Sequence, residues 1–164
     1  MKSLFLSLKK IPLLLLLYSG SVPAEILSIK DAAFKTPNGI IDADTFNDKV
    51  ILVDFWASWC KPCLESFPWM NEMHQKYADS GLHIVAVNLD KDEELIDKFL
   101  AKVSPDFTIA YDKSATLAKQ FGVSAMPSSF YYGRDGKLVA RHLGFRDNRK
   151  DKYEAQIRAL LGIN

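Results

Sequence analysis

Two nearly unbroken apolar runs dominate the patterning, Val50-Ile51-Leu52-Val53-Asp54-Phe55-Trp56 and Leu82-His83-Ile84-Val85-Ala86-Val87-Asn88-Leu89. Runs of this length, rich in β-branched residues, read as strands buried on both faces. The first encloses an acid, Asp54, which is the anomaly of the run. Between the two strands Phe67, Met70, Met73, His74 and Tyr77 recur at three and four residues, which predicts a helix over residues 60–78. Pro68 is expected to kink that helix because it lacks an N–H for the ladder, and Ser80-Gly81 to stop it.

On either side the signals are shorter. Patches at Ile26-Leu27, Phe34, Ile40-Ile41 and Phe46, broken by Pro37-Asn38-Gly39, predict an N-terminal β-hairpin or extended arm. After the second strand come Asp90-Lys91-Asp92-Glu93-Glu94, whose alternating acids invite a calcium-loop reading. Leu95 stands where such a loop needs glycine and Ala101 where it needs glutamate, so capping of a helix over 92–103 is the better reading. Its inward stripe is read as Leu95, Phe99 and Leu100. A short strand (107–111), a short helix (112–121) ended by Gly122, and a strand (128–132) follow. Gly133-Arg134-Asp135-Gly136 makes a hairpin turn into a strand over 137–142. A solvated loop at 144–150 leads to a last helix (151–161) with Tyr153, Ile157, Leu160 and Leu161 inward. Alternating strands and helices followed by a tight hairpin give an α/β fold, a central mixed β-sheet flanked by helices.

The chain has 164 residues, 48% hydrophobic and 25% charged, enough for one core and one domain. Its formal charge of +1 argues against a nucleic-acid binder. Residues 1–24 read as an export signal, with Lys2, Lys9 and Lys10, the apolar run Ile11-Pro12-Leu13-Leu14-Leu15-Leu16-Leu17-Tyr18, and Val22-Pro23-Ala24 as a cleavage site. An uncleaved anchor is the alternative, but the run falls short of the ~20 residues a spanning helix needs. The expected division is a signal peptide at 1–24 and one domain at 25–164, located in the periplasm. Without the three leader lysines, 18 basic residues of the original 21 face 20 acidic ones. The mature charge of −2 gives no strong pull on DNA or anionic lipid.

The only two cysteines lie in Trp59-Cys60-Lys61-Pro62-Cys63. Exported proteins usually spend cysteines on structural disulfides, yet a pair this close staples almost nothing, so a chemical role is favoured. A thiolate at a helix N-terminus is stabilised by unpaired N–H groups and the helix dipole, which lowers its pKa to ~3.5–7.5 in such motifs. Cys60 is therefore the expected nucleophile toward a client disulfide, and Cys63 the residue that resolves the mixed disulfide. Pro62 suits the first helical turn. Lys61 either lowers the Cys60 pKa further or is a solvated side chain. Asp54 is either a buried acid of raised pKa that accepts the Cys63 proton, or a hydrogen-bonded structural residue. If the Met126–Pro127 bond is cis, the backbone of Met126 can offer its polar groups to an extended peptide.

The stretch Val53-Asp54-Phe55-Trp56-Ala57-Ser58-Trp59-Cys60-Lys61-Pro62-Cys63, with Pro68 and Met126-Pro127, resembles the thioredoxin fold and in detail the exported TlpA/ResA/DsbE-type thiol:disulfide oxidoreductases. The resemblance covers about residues 34–161, including an inserted helix and strand between Asp92 and Tyr111. It implies that Pro127 is a cis-proline, Cys60 the attacking cysteine, Cys63 the resolving one and Asp54 the buried acid. It implies a dithiol reductase of protein clients, serving cytochrome c maturation in one version. A membrane electron carrier of the DsbD type would recharge it, and the redox-active disulfide is the only cofactor. A monomer is expected.

Two positions depart from the family pattern. Ser66 stands where many members place a glutamate three residues after the second cysteine, Glu65 falling one residue early. Val85-Ala86-Val87 also lacks the lysine that thioredoxin sets beside its buried acid. Other readings of the same residues are a thiol oxidase, a noncatalytic interaction module, and a copper or zinc carrier using Cys60 and Cys63 with Met70, Met73 and His74. The methionine and histidine spacing is also that of a core stripe, and no metal is assigned.

Overall fold

The computed structural model describes residues 28–163; the expected leader and the Ile26-Leu27 patch lie outside them. The strands are β1 (Phe34–Thr36), β2 (Gly39–Ile41), β3 (Val50–Trp56), β4 (Leu82–Asn88), β5 (Thr108–Tyr111), β6 (Ser128–Tyr132) and β7 (Leu138–Leu143). The helices are α1 (Lys61–Tyr77), α2 (Glu93–Val103), α3 (Thr116–Gln120) and α4 (Lys150–Leu161). All seven strands join one sheet in the order β2-β1-β5-β4-β3-β6-β7. β3, β4 and β5 run parallel, as the crossovers through α1 and α2 demand. The hairpin partners β6 and β7 add antiparallel strands beyond β3, and β1–β2 pairs antiparallel to β5.

Every residue of β3 is buried, and alternation decides which layer each one enters. Val50, Leu52 and Trp56 pack with Phe67, Met70 and Met73 of α1, Phe99 of α2 and Ile157 of α4. Ile51, Val53 and Phe55 face the other way, onto Phe34, Phe46, Phe121 and Phe130. A strand covered on both sides needs apolar residues at every position, which is why β3 reads as a continuous run. Each such side chain contributes roughly 1.5–3 kcal/mol by leaving water. Asp54 has the parity of Leu52 and Trp56, so its carboxyl enters the layer beneath α1 and α4.

Two elements differ from their sequence readings. The helical phase of α2 buries Ile96 and Phe99, and Leu95 is 44% exposed. With Asp92 as N-cap, accepting the Glu94 N–H at 3.0 Å, residues 96, 99, 100 and 103 share one face and Leu95 falls about a quarter-turn off it. The helix expected over 112–121 shrinks to α3. The Asp112 carboxylate takes the N–H groups of Thr116 and Ala118 at 3.0 and 2.8 Å, and Ala115 is left-handed at φ 54°, so the first turn is replaced by a side-chain-bonded loop. As expected from the stripe, α1 runs on past Pro68 to Tyr77, with Pro68 exposed on its outer side.

Candidate functional site

β3 ends at Trp56, and four residues later Cys60 N-caps α1. This is the carboxyl end of the parallel strands, where open α/β sheets place their sites. Cys60 and Cys63 are joined by a disulfide, with a Cα separation of 5.3 Å. The backbone folds tightly around them, Cys60 N–H donating to Ala57 O at 3.0 Å and Cys63 N–H to Cys60 O at 3.1 Å. Pro62 sits in the first turn, where its missing N–H costs nothing. The two sulfur-bearing residues are unequal: Cys60 retains 4% exposure and Cys63 none. Only the edge of Cys60 reaches solvent, and it is flanked by Trp59, 71% exposed, and by the exposed Lys61 and Pro62.

Ser128 pairs with Phe55, so Met126–Pro127, immediately before it, reaches the same end of β3 from which the loop leading to Cys60 departs. The Met126–Pro127 peptide bond is cis, as the resemblance implies. Met126 is half-buried against the cluster that holds both cysteines.

Asp90 escaped sequence reasoning, which grouped it with the acids capping α2. It is 7% exposed, and its Oδ2 accepts the Ser58 N–H at 2.6 Å and the Asn88 Nδ2 at 2.9 Å. Its own N–H donates to Asn88 Oδ1 at 2.9 Å. Asp90 thus anchors the loop two residues ahead of Cys60 from the neighbouring parallel strand. Its signal was positional, a polar pair Asn88/Asp90 at the end of a strand that is otherwise apolar but for His83.

Asp54 is 1% exposed. Oδ1 accepts a 2.5 Å hydrogen bond from Ser129 Oγ, and Oδ2 is buried with no protein partner. Burial raises its pKa from 3.8 to about 7, against a smaller lowering by the Ser129 hydroxyl. The apolar Ala86 of β4 lies in register beside it, which is the physical content of the missing lysine. Ser66 does not replace a carboxylate either: it is buried and its Oγ donates to Cys63 O at 3.1 Å, while Glu65 points to solvent. Asp54, Ser66, Ser129, Tyr131 and His142 instead share the wall of a cavity of about 10 Å3, room for a single water.

Met70 and Met73 are fully buried core residues of α1 and His74 is half-buried, so their spacing reflects packing. Among the described residues no group of three or more His, Cys, Asp or Glu is placed to hold a metal ion, and no helix is long and apolar enough to cross a membrane.

Comparison with known proteins gives a consistent result. The Redoxin family profile matches residues 25–157. A Bacillus thuringiensis thiol-disulfide oxidoreductase ResA is 31% identical over 120 residues, spanning 73% of this chain and 68% of the relative. A crystal structure from Chlorobium tepidum, described as a thiol:disulfide interchange protein DsbE, is 41% identical with a TM-score of 0.78, covering 86% of this chain and 99% of the other. StoA from Bacillus subtilis, at 22% identity and a TM-score of 0.60, covers 73% of this chain and 93% of its own and shares the fold.

Proposed function

The chain belongs to the Redoxin family and is a thioredoxin-like thiol:disulfide oxidoreductase of the TlpA/ResA/DsbE kind, and from that premise we propose that it is an exported dithiol reductase. The observation that carries the mechanism is the disulfide at the start of α1, with Cys60 at the solvent edge and Cys63 fully buried. In the reduced form the Cys60 thiolate attacks one sulfur of a client disulfide, forming a mixed disulfide and expelling a client thiolate. Cys63 gives its proton to Asp54 and, as thiolate, attacks Cys60 Sγ. The second client thiolate leaves, and the Cys60–Cys63 disulfide holds the two electrons' worth of oxidation; no other cofactor takes part.

Trp59, Lys61 and Pro62 form the surface around Cys60, and Met126 and Pro127 receive the client backbone. Lys61 acts as a solvated side chain, in keeping with its exposure. Protein disulfides are the substrate class. Residues 1–24 are a cleaved signal peptide, the working compartment is the periplasm, and the protein acts as a monomer. A DsbD-type membrane carrier returns it to the dithiol form, and cytochrome c maturation is the process it serves, in keeping with the ResA and DsbE kinds it resembles.

Direction of electron flow is set by the relative stability of dithiol and disulfide. Equilibration against glutathione is expected to give a reduction potential well below that of strong thiol oxidants, which lie near about −120 mV. A value near that figure overturns the reductase assignment and makes the protein an oxidase with the same parts.

A further inference from the structure

Asp54, Ser129 and His142 form one row across three neighbouring strands. Asp54 of β3 is in register with Ser129 of β6, and Ser129 with His142 of β7. Directly opposed residues in antiparallel pairs project to the same face, with Cβ atoms about 4.5–5.5 Å apart. The row therefore leads from the fully buried acid to the terminal strand of the sheet, since β7 ends the strand order. The acid and the imidazole also share the one-water cavity described above, with Ser66, Tyr131 and Tyr153 on its remaining walls.

Asp54 must be ionised to accept the Cys63 proton, so the proton that burial keeps on it near neutral pH has to leave before the resolving step can run. Its Oδ1 is held by Ser129, leaving the buried Oδ2 free of protein partners. The ionisable groups around it are few. Ala86 faces it from β4, α1 presents the uncharged Ser66, and Tyr131 and Tyr153 come from β6 and α4. Burial, together with the nearby Asp54 and Tyr153, pushes the Tyr131 phenol upward, so it stays protonated and offers no base. His142 is half-buried, and its Nε2 donates to Gln156 Oε1 of α4 at 2.7 Å, which leaves Nδ1 as the acceptor of the neutral ring. A ring with one donor and one acceptor nitrogen can take a proton on one side and give one up on the other.

We propose that His142 is the outlet for the Asp54 proton, passing it between the one-water cavity and solvent, with Ser129 fixing the carboxylate that feeds it. The proton leaves the Cys63 thiol, resides on Asp54 Oδ2, crosses a cavity water to the imidazole and is lost to bulk water from the edge of the sheet. His142 is a positioning and relay residue and touches neither sulfur. This deepens the proposed function and rests on Asp54 being the acceptor for Cys63.

The test is single-turnover oxidation of the reduced protein by a disulfide-bonded peptide in weakly buffered solution from pH 6 to 8.5. It compares wild type, Asp54→Asn, His142→Ala, His142→Gln and the Asp54→Asn/His142→Ala double variant. His142→Ala is expected to slow the resolving step about tenfold, below the 10²–10⁴ range of a direct general acid or base, with unchanged peptide affinity. Added imidazole restores the rate. His142→Gln, which keeps an amide beside Gln156 but cannot titrate, shows the same loss, and the double variant is no slower than Asp54→Asn alone. A wild-type rate and pH profile for His142→Gln, or a loss that imidazole leaves untouched and that adds to that of Asp54→Asn, overturns the relay while leaving Asp54 as acceptor. Wild-type kinetics in Asp54→Asn would instead remove the acceptor assignment itself.

Discussion

Cys60→Ser is expected to bring reduction of a protein disulfide down to the uncatalysed background while leaving the fold in place. The serine hydroxyl is not ionised at neutral pH and does not attack sulfur, whereas a thiolate at the N-cap of α1 is stabilised by the free N–H groups of the first turn. Cys63 cannot take over, because it is wholly buried inside α1. Stability should suffer little. Cys60 and Cys63 are three residues apart, and closing so short a ring is worth about 2 kcal/mol in the loop-entropy relation. Insulin reduction paired with a thermal melt by circular dichroism separates the two effects. A Cys60→Ser protein that melts near wild type and still reduces insulin would show that the chemistry does not run through this pair and would favour an interaction module.

Asp54→Asn is expected to change stability and rate in opposite senses. The carboxyl titrates near about 7 when folded against 3.8 as the reference value. Between those values the native state holds a proton that the unfolded state has already released, so stability falls as pH rises from about 4 to about 7 and is level above. At about 1.4 kcal/mol per pH unit the ionised carboxylate costs the wild type on the order of 4 kcal/mol by pH 8. Asparagine carries no such charge, and its amide oxygen still accepts from Ser129. The variant should therefore be the more stable protein at pH 8, with the difference shrinking toward pH 4; urea unfolding at pH 4, 6 and 8 reads it. The resolving step should slow by about 10²-fold, the lower end of what a positioned general base contributes. A variant of equal stability at pH 8 means that Asp54 is hydrated and near its usual pKa in the folded protein.

In the proposed mechanism that cost accompanies a base of suitable pKa. The anomaly was visible in the chain, because an acid inside an apolar run has no local explanation. What surrounds it was not visible. Ser129 and His142 lie 75 and 88 residues downstream, and only the register of β3, β6 and β7 brings them to Asp54. Nothing local distinguishes Ser129 or His142 from any other polar residue of its strand.

Elements of long, strong periodicity were legible: β3 and β4 as continuous runs, α1 as a stripe behind the cysteines, and the hairpin at Gly133-Arg134-Asp135-Gly136. Boundaries set by side-chain hydrogen bonds were not. Asp112 occupies the donors that would have begun a longer α3, and the Asp92 cap fixes a phase for α2 that turns Leu95 outward. Asp90 illustrates the same limit. Its acidic neighbours suggested a helix cap, while its side chain binds backward to Ser58 across 32 residues of sequence. Adjacent residues carried the redox motif itself, so the Trp59 to Cys63 stretch needed no tertiary information.

The division of labour between the two cysteines is tested most directly by trapping. Cys63→Ala protein, reduced and mixed with an excess of a disulfide-bonded protein client, is expected to accumulate a 1:1 mixed disulfide, because the residue that would resolve it is gone. Peptide mass spectrometry should locate every cross-link at Cys60, and Cys60→Ala, which leaves only the buried Cys63, should form none. Absence of the adduct in Cys63→Ala, or equal cross-linking through Cys63 in Cys60→Ala, would contradict the assignment of Cys60 as the attacking thiolate and Cys63 as the resolving one.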